Sequence, residues 1–127
     1  MFRELKPVGI AGPAANYALG IEVTNPSRIV TTAGIVGDRP DGTIASGAAE
    51  QAAEMWRSIG AILAEGGMGP SDIVSYITYA VVGVDRTELQ QARDNFLAGH
   101  VATSTLIYVP QLARPQWLVE VQVTAMQ

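Results

Sequence analysis

His100 is the chain's only histidine and stands in "FLAGHVATSTLIYV", residues 96–109, just before three hydroxyl residues, Thr103, Ser104 and Thr105. The junction of a helix with a strand is a common place for side chains to meet a ligand. No G-x-S-x-G elbow is present, so a serine triad would have to use His100, and nothing local argues for one. No acidic residue stands one helical turn from it in a ligand pattern, and without cysteine there is no thiolate nucleophile or thiolate metal site. The plainer role for His100 is at a helix C-terminus, where a positive charge suits the dipole.

Glu120 is the more interesting group, a carboxylate in the middle of the otherwise apolar strand "LVEVQVTAM". It either faces solvent from an open sheet or lines a pocket, where partial burial would let it hold or activate a water near neutral pH. The periodicity favours the solvated face. The glycines of "GGMGPSD", residues 66–72, lie between a helix and a strand, whereas a phosphate cradle needs them at a helix N-terminus. Met55 and Trp56 fall on an apolar helical stripe and read as core. Tyr108 and Trp117 could line an interface or a pocket.

These groups need elements to hold them. "LGIEVTNPSRIVTTAGIV" reads as two strands around Asn25-Pro26-Ser27, an opening hairpin. Ser46 can cap a helix from Gly47 to Glu65 that Gly66 and Gly67 end, with Ala48, Ala52, Met55, Trp56, Ile59, Ile62 and Leu63 on its apolar face. "DIVSYITYAVVGV" has the composition of a long buried strand, for which a parallel partner is plausible because a helix precedes it. Thr87 and Gln90 have capping-box spacing before a second helix whose stripe is Leu89, Ala92, Phe96 and Leu97, and Gly99 closes it. "STLIYV" and "LVEVQVTAM" are the last strands, with Val119, Val121, Val123 and Ala125 on one face.

The fold class is therefore α/β, or α+β, with one mixed sheet and two helices on one face. Residues 1–127 form a single domain. Two helices cover one face only, and the apolar content of both faces of residues 73–84 calls for an oligomer. Eight basic residues against 12 acidic ones give a net charge of −4, with the cations scattered, so nucleic acid is not expected as a partner. The start has no signal-peptide h-region and no stretch reaches the length of a membrane span, which reads as a cytoplasmic protein without membrane contact.

Five segments in order resemble one family, the reactive intermediate deaminases, Rid or YjgF-like proteins. "GPAANYALG" resembles its N-terminal glycine-proline-tyrosine segment, "IVTTAGIVGDRPDGTI" its serine-glycine-glutamine strand, and "EQAAEMWRSIGAILAEGGMGPSDIVSYITYA" its first helix and following strand. "FLAGHVATSTLIYVPQL" resembles the family's proline-alanine-arginine-serine-threonine strand and "LVEVQVTAM" its final strand. The resemblance implies a homotrimer of chorismate-mutase-like subunits with small-molecule clefts between them. It implies hydrolysis of enamines and imines such as 2-aminoacrylate with no cofactor and no metal. An arginine binds the substrate carboxylate there, a glutamate positions water, and a tyrosine and the backbone beside a glycine line the cleft. By position these fall on Thr103, Glu120, Tyr17 and Gly34, with Ala33, Ser104 and Thr105 beside them as substrate-binding residues.

The departures gather at the chemistry. Thr103 replaces the family arginine, Val101 a proline, Ala33 a serine, Ile35 a glutamine and Ser58 an asparagine. A charge-assisted hydrogen bond contributes roughly 1.5–3 kcal/mol against about 0.5–1.5 for a neutral one. A carboxylate held only at residue 103 would bind about tenfold worse or more. Arg114, at the far end of the intervening strand, lies roughly 20 Å or more from Thr103 and cannot replace the anchor within one subunit. Two functions are expected in competition. One is a hydrolase of imine, enamine or related C–N substrates, with Glu120 as catalytic residue and Thr103 in place of arginine. The other is a non-catalytic binding or regulatory trimer. Ribonuclease action ranks last on charge.

Overall fold

Seven apolar or small residues spaced three and four apart give the longest element, helix α1, Gly47–Glu65, which buries Gln51, Ala52, Met55, Trp56, Ile59 and Leu63. A computed structural model describes residues 2–127. Ser46 takes the N-cap position, but its side chain makes no capping bond. At the other end the Gly66 and Gly67 N–H groups return to carbonyls of the last turn, and Gly67 has φ 72°.

Strand β5, Ile73–Val81, follows a short 3-10 turn, and helix α2, Arg86–Leu97, comes next. The expected Thr87–Gln90 capping box is not formed. Asp85 is the cap, its carboxylate accepting from the Thr87 N–H at 2.9 Å. A cap must have extended backbone, and Thr87 already lies inside the helix. Ala98 (φ 48°) and Gly99 (φ 93°) are both left-handed and stop α2 before strand β6, Thr103–Val109.

The opening hairpin is the main correction. Strands β2, Ile21–Val23, and β3, Ile29–Thr31, do not pair with each other. β2 pairs with β1, Phe2–Glu4, where Arg3 and Glu22 stand opposite and form an ion pair at 3.1 Å. β3 pairs with the end of β7, Val119–Met126. The Ser27 and Arg28 N–H groups both bond the Gln127 carbonyl, and Arg28 reaches the Gly66 carbonyl, so the residues between β2 and β3 are tied to β7 and to the end of α1. The Asn25-Pro26-Ser27 turn thus carries the chain between two sheets. Neither β1 nor the two-residue strand β4, Ile35–Val36, is announced by a periodic pattern long enough to read.

The main sheet has the order β3-β7-β5-β6, and β4 also lies antiparallel on β7. β5 and β7 are antiparallel, while β5 and β6 are parallel. The parallel partner of β5 therefore arises from α2, the crossover that follows it, rather than from α1, which precedes it. Alternation sorts the sheet cleanly. Tyr76, Thr78, Ala80, Val119, Val121, Val123 and Ala125 face the helices and are buried. Ser75, Ile77, Tyr79, Glu120, Gln122 and Thr124 face away, together with Thr103, Thr105 and Ile107. Neither helix covers that second face.

One buried polar residue holds the frame of the site. Gln51 donates to the carbonyls of Ala45 (3.1 Å) and Gln116 (3.0 Å), and its Oε1 accepts from the Leu118 N–H at 2.8 Å. It thereby pins the connection into β7, and with it Glu120, against the first turns of α1. No helix of the described residues is long and apolar enough to cross a membrane.

Candidate functional site

Glu120 leaves the uncovered face of β7 opposite Tyr79 on β5 and Val36 on β4. It is half-buried and takes part in none of the ion pairs of the described residues. Gly34, just before β4, lies against it. A methyl group at residue 34 would run into Glu120 Oε2 and stand 2.8 Å from Cδ, so the carboxylate occupies the room that the glycine leaves. Ala33 is exposed beside this pair, and its carbonyl accepts from the Thr32 hydroxyl at 2.8 Å.

The hydroxyl residues of β6 divide between the two faces. Thr103 is half-buried, and its hydroxyl donates to the Val74 carbonyl at 3.2 Å, which commits its only proton to the sheet. Thr105 is exposed on the uncovered face. Glu120 and Thr103 share that face but are two strands and four residues apart in register, roughly 16 Å at about 4.8 Å per strand and about 3.3 Å per residue. One small molecule cannot touch both within one chain.

Ser104 points the other way, into a cavity of about 250 Å³ between the N-terminal segment, α1, α2 and the helix-facing side of the sheet. Tyr17 lines the same cavity. It is carried there because Ala18 bridges to Thr103 and the Ala18 N–H bonds the Ala102 carbonyl at 2.9 Å. The Tyr17 oxygen accepts from the Ala14 N–H at 3.2 Å, which leaves its own proton to donate. Met55 and Trp56 also reach the cavity wall, so these two residues are core and lining at once. Trp56 is fixed edge-on to Tyr76 (ring centroids 5.3 Å) and stacked on Phe96 (5.0 Å).

Three further residues line the cavity that the sequence reading did not single out, Tyr76, Arg86 and Arg93. Arg93 is buried, and its Nε and Nη2 both stand 3.0 Å from Asp94 Oδ1, while Asn16 donates to the other Asp94 oxygen at 3.2 Å. A helical period would place residue 93 four after Leu89, on the buried stripe, and this was the signal available.

The remaining candidates resolve into structural roles. His100 follows α2 and its Nε2 donates to the Ile73 carbonyl at 2.7 Å, tying the α2–β6 turn to the start of β5. Trp117 donates to Asp38 at 2.9 Å beneath the Arg114 guanidinium, and Tyr108 donates to the Val84 carbonyl at 3.1 Å. Among the described residues no group of three or more His, Asp or Glu side chains is placed to hold a metal ion.

Comparison with known proteins follows the same architecture. Residues 10–127 match the family described as Endoribonuclease L-PSP. A Yersinia pestis protein of the conserved Rid family, YyfB, of unknown function, superposes with a TM-score of 0.84 at 23% identity, over 99% of this chain and 98% of its own. Escherichia coli TdcF, solved with bound serine, gives 0.74 at 19% identity over 98% of each chain. RidA from an Antarctic Psychrobacter gives 0.74 at 18% identity over 98% of this chain and 99% of its own. No curated protein matches by sequence.

Proposed function

The chain belongs to the endoribonuclease L-PSP family, the Rid or YjgF-like proteins, and we propose that it is a cytoplasmic, homotrimeric hydrolase of small imines, enamines or related C–N compounds. Glu120 positions the attacking water, and no cofactor takes part. The observation that carries this reading is the Glu120–Gly34 pair: a carboxylate with no salt-bridge partner among the described residues, seated in the room that a glycine's missing side chain leaves. A carboxylate so placed can accept a proton from water as that water adds to an imine carbon. The C–N bond then breaks with protonation of nitrogen, giving a carbonyl compound and an amine or ammonia.

The distribution of the other groups supports a cleft between subunits. Tyr17 and Ser104 lie on the helix side of the sheet and Glu120 on the uncovered side, so a ligand meets both sets only where one subunit's open face abuts another's cavity. Ile77, Tyr79 and Ile107 on that face, the last 40% exposed, supply apolar area for such packing. Light scattering at micromolar concentration is expected to give three times the 13.4 kDa chain mass, and a monomer would refute the assembly.

Thr103 removes the carboxylate anchor that the family carries on this strand. With a neutral hydroxyl already bonded to Val74 where the family carries arginine, 2-aminoacrylate generated in place by a dehydratase is expected to be hydrolysed slowly or not at all. Thr103→Arg is expected to raise that rate about tenfold or more. No gain would show that the rest of the cleft has diverged as well. The competing reading, a binding or regulatory trimer without turnover, predicts that no imine or enamine in a panel varied in charge and size is consumed faster with the protein than without it.

A further inference from the structure

We propose that Arg93 and the Tyr76 hydroxyl form an anion anchor within the helix-side cavity, and that the ligand is a small carboxylic acid with a branched or cyclic apolar body. The inference deepens the reading above and rests on it for the cavity's role as the ligand site.

The donor inventory is one-sided. Tyr17, Tyr76, Thr78, Arg86, Arg93 and Ser104 contribute hydroxyl and guanidinium groups to the lining, Gln90 adds an amide, and among the described residues of the same chain no carboxylate side chain lines it. Arg93 carries five N–H groups in a planar fork, of which Nε donates to Asp94 Oδ1 while Nη2 stands 3.0 Å from the same oxygen, and the side chain also lines the cavity. Asp94 is in turn held by Asn16, which fixes the fork in place. Arg86 is exposed at the start of α2 and adds a second positive charge near the opening.

Tyr76 supplies the independent observation. The residue is 2% exposed and its buried hydroxyl makes no well-aligned hydrogen bond, although the Ser104 and Arg93 side chains stand close enough to interact with it. A buried hydroxyl left unpaired costs free energy and calls for an explanation. Burial raises the phenol's pKa, with Ser104 and Arg93 only partly opposing it, so the group stays a neutral donor at physiological pH. A carboxylate oxygen beside Arg93 would satisfy it.

The apolar side of the cavity decides the rest of the ligand. Met55, Trp56, Leu89 and Leu106 form its walls, and about 250 Å³ corresponds to roughly eight waters at about 30 Å³ each. A three-carbon acid would leave those walls wet, whereas an acid with four to six carbons beyond the carboxylate fills them. This departs from an anchor at residue 103, since the cation comes from α2 instead of β6.

Calorimetric titration of the full chain with 4-methyl-2-oxopentanoate tests the proposal, with pyruvate and 4-methylpentan-2-one as probes that lack the apolar body and the carboxylate respectively. The branched oxo acid is expected to bind about tenfold or more tighter than either. Arg93→Met should lose that preference for the acid over the ketone, but a buried arginine paired with Asp94 can also matter for folding. Tyr76→Phe avoids this, since it removes a hydroxyl that makes no well-aligned hydrogen bond in the fold. It should leave the melting temperature unchanged or higher and weaken the acid about tenfold, with the ketone unaffected. Equal affinity for acid and ketone, or unchanged acid affinity in Tyr76→Phe, overturns the anchor. Hydrolysis measured in parallel separates the two readings. Glu120-dependent turnover with no preference for acids sinks the anchor alone, whereas Tyr76-dependent acid binding without turnover of any imine sinks the hydrolase and leaves the anchor standing.

Discussion

Glu120→Gln is expected to lower kcat for imine or enamine hydrolysis about 10²–10⁴-fold, the range contributed by a positioned general base, with little change in KM. Glutamine keeps the size of the side chain and one acceptor oxygen but cannot take a proton from water. Gly34→Ala is the sharper companion. Residue 34 is exposed, so its methyl disturbs little of the core, yet the methyl would fall on Glu120 Oε2 and force the carboxylate to another rotamer. A loss of rate approaching that of Glu120→Gln, with an unchanged melting temperature, would show that the position of the carboxylate matters as well as its charge. Full activity in Glu120→Gln would remove Glu120 from the chemistry and assign the water to another group, whereas full activity in Gly34→Ala alone would show that the carboxylate works from more than one rotamer.

The elements bearing this site differ in how legible they are. Both helices and the three long strands follow from patterns that repeat often enough to outweigh local accidents: the stripe from Ala48 to Leu63 gives α1 its observed bounds, and Val119, Val121, Val123 and Ala125 are all buried on one face of β7. The short strands fail for the opposite reason. β2 and β3 are three residues each, and their partners are fixed by distant groups, Phe2–Glu4 and Met126, that no local period specifies. The polar frame is less legible still. Gln51 reads as one more surface residue beside Glu50 until its three bonds to Ala45, Gln116 and Leu118 are seen. Arg93 reads as a solvated charge although it is 9% exposed. Glu120 and Gly34 were connected in the sequence only through the family resemblance, since 86 positions separate them. Their contact is a property of the β4–β7 pairing.

That pairing depends on a close approach which makes the largest stability prediction. Gly37 follows β4 directly and is buried, and a methyl group there would stand 2.5 Å from the Gln51 Cα and 2.6 Å from the Gln51 carbonyl oxygen. These are backbone atoms of a helix, which cannot swing aside as a side-chain tip can. Gly37→Ala must push α1 away from β4 or break the three Gln51 bonds, and overpacking alone costs about 1–3 kcal/mol. Unsatisfied buried polar groups add roughly 1–3 kcal/mol each. A total of about 3–5 kcal/mol is expected, a substantial part of a domain's usual 5–15 kcal/mol. Gln51→Ala should cost about 2–4 kcal/mol by the second route only. The two substitutions act on one contact, so the double variant should fall short of their sum, because an alanine side chain at residue 51 leaves fewer bonds for the displaced helix to lose. Denaturant unfolding of the four proteins measures this directly. Strict additivity would mean that Gly37 and Gln51 act independently and that the close approach of β4 to α1 does not support the bonds that hold the start of β7.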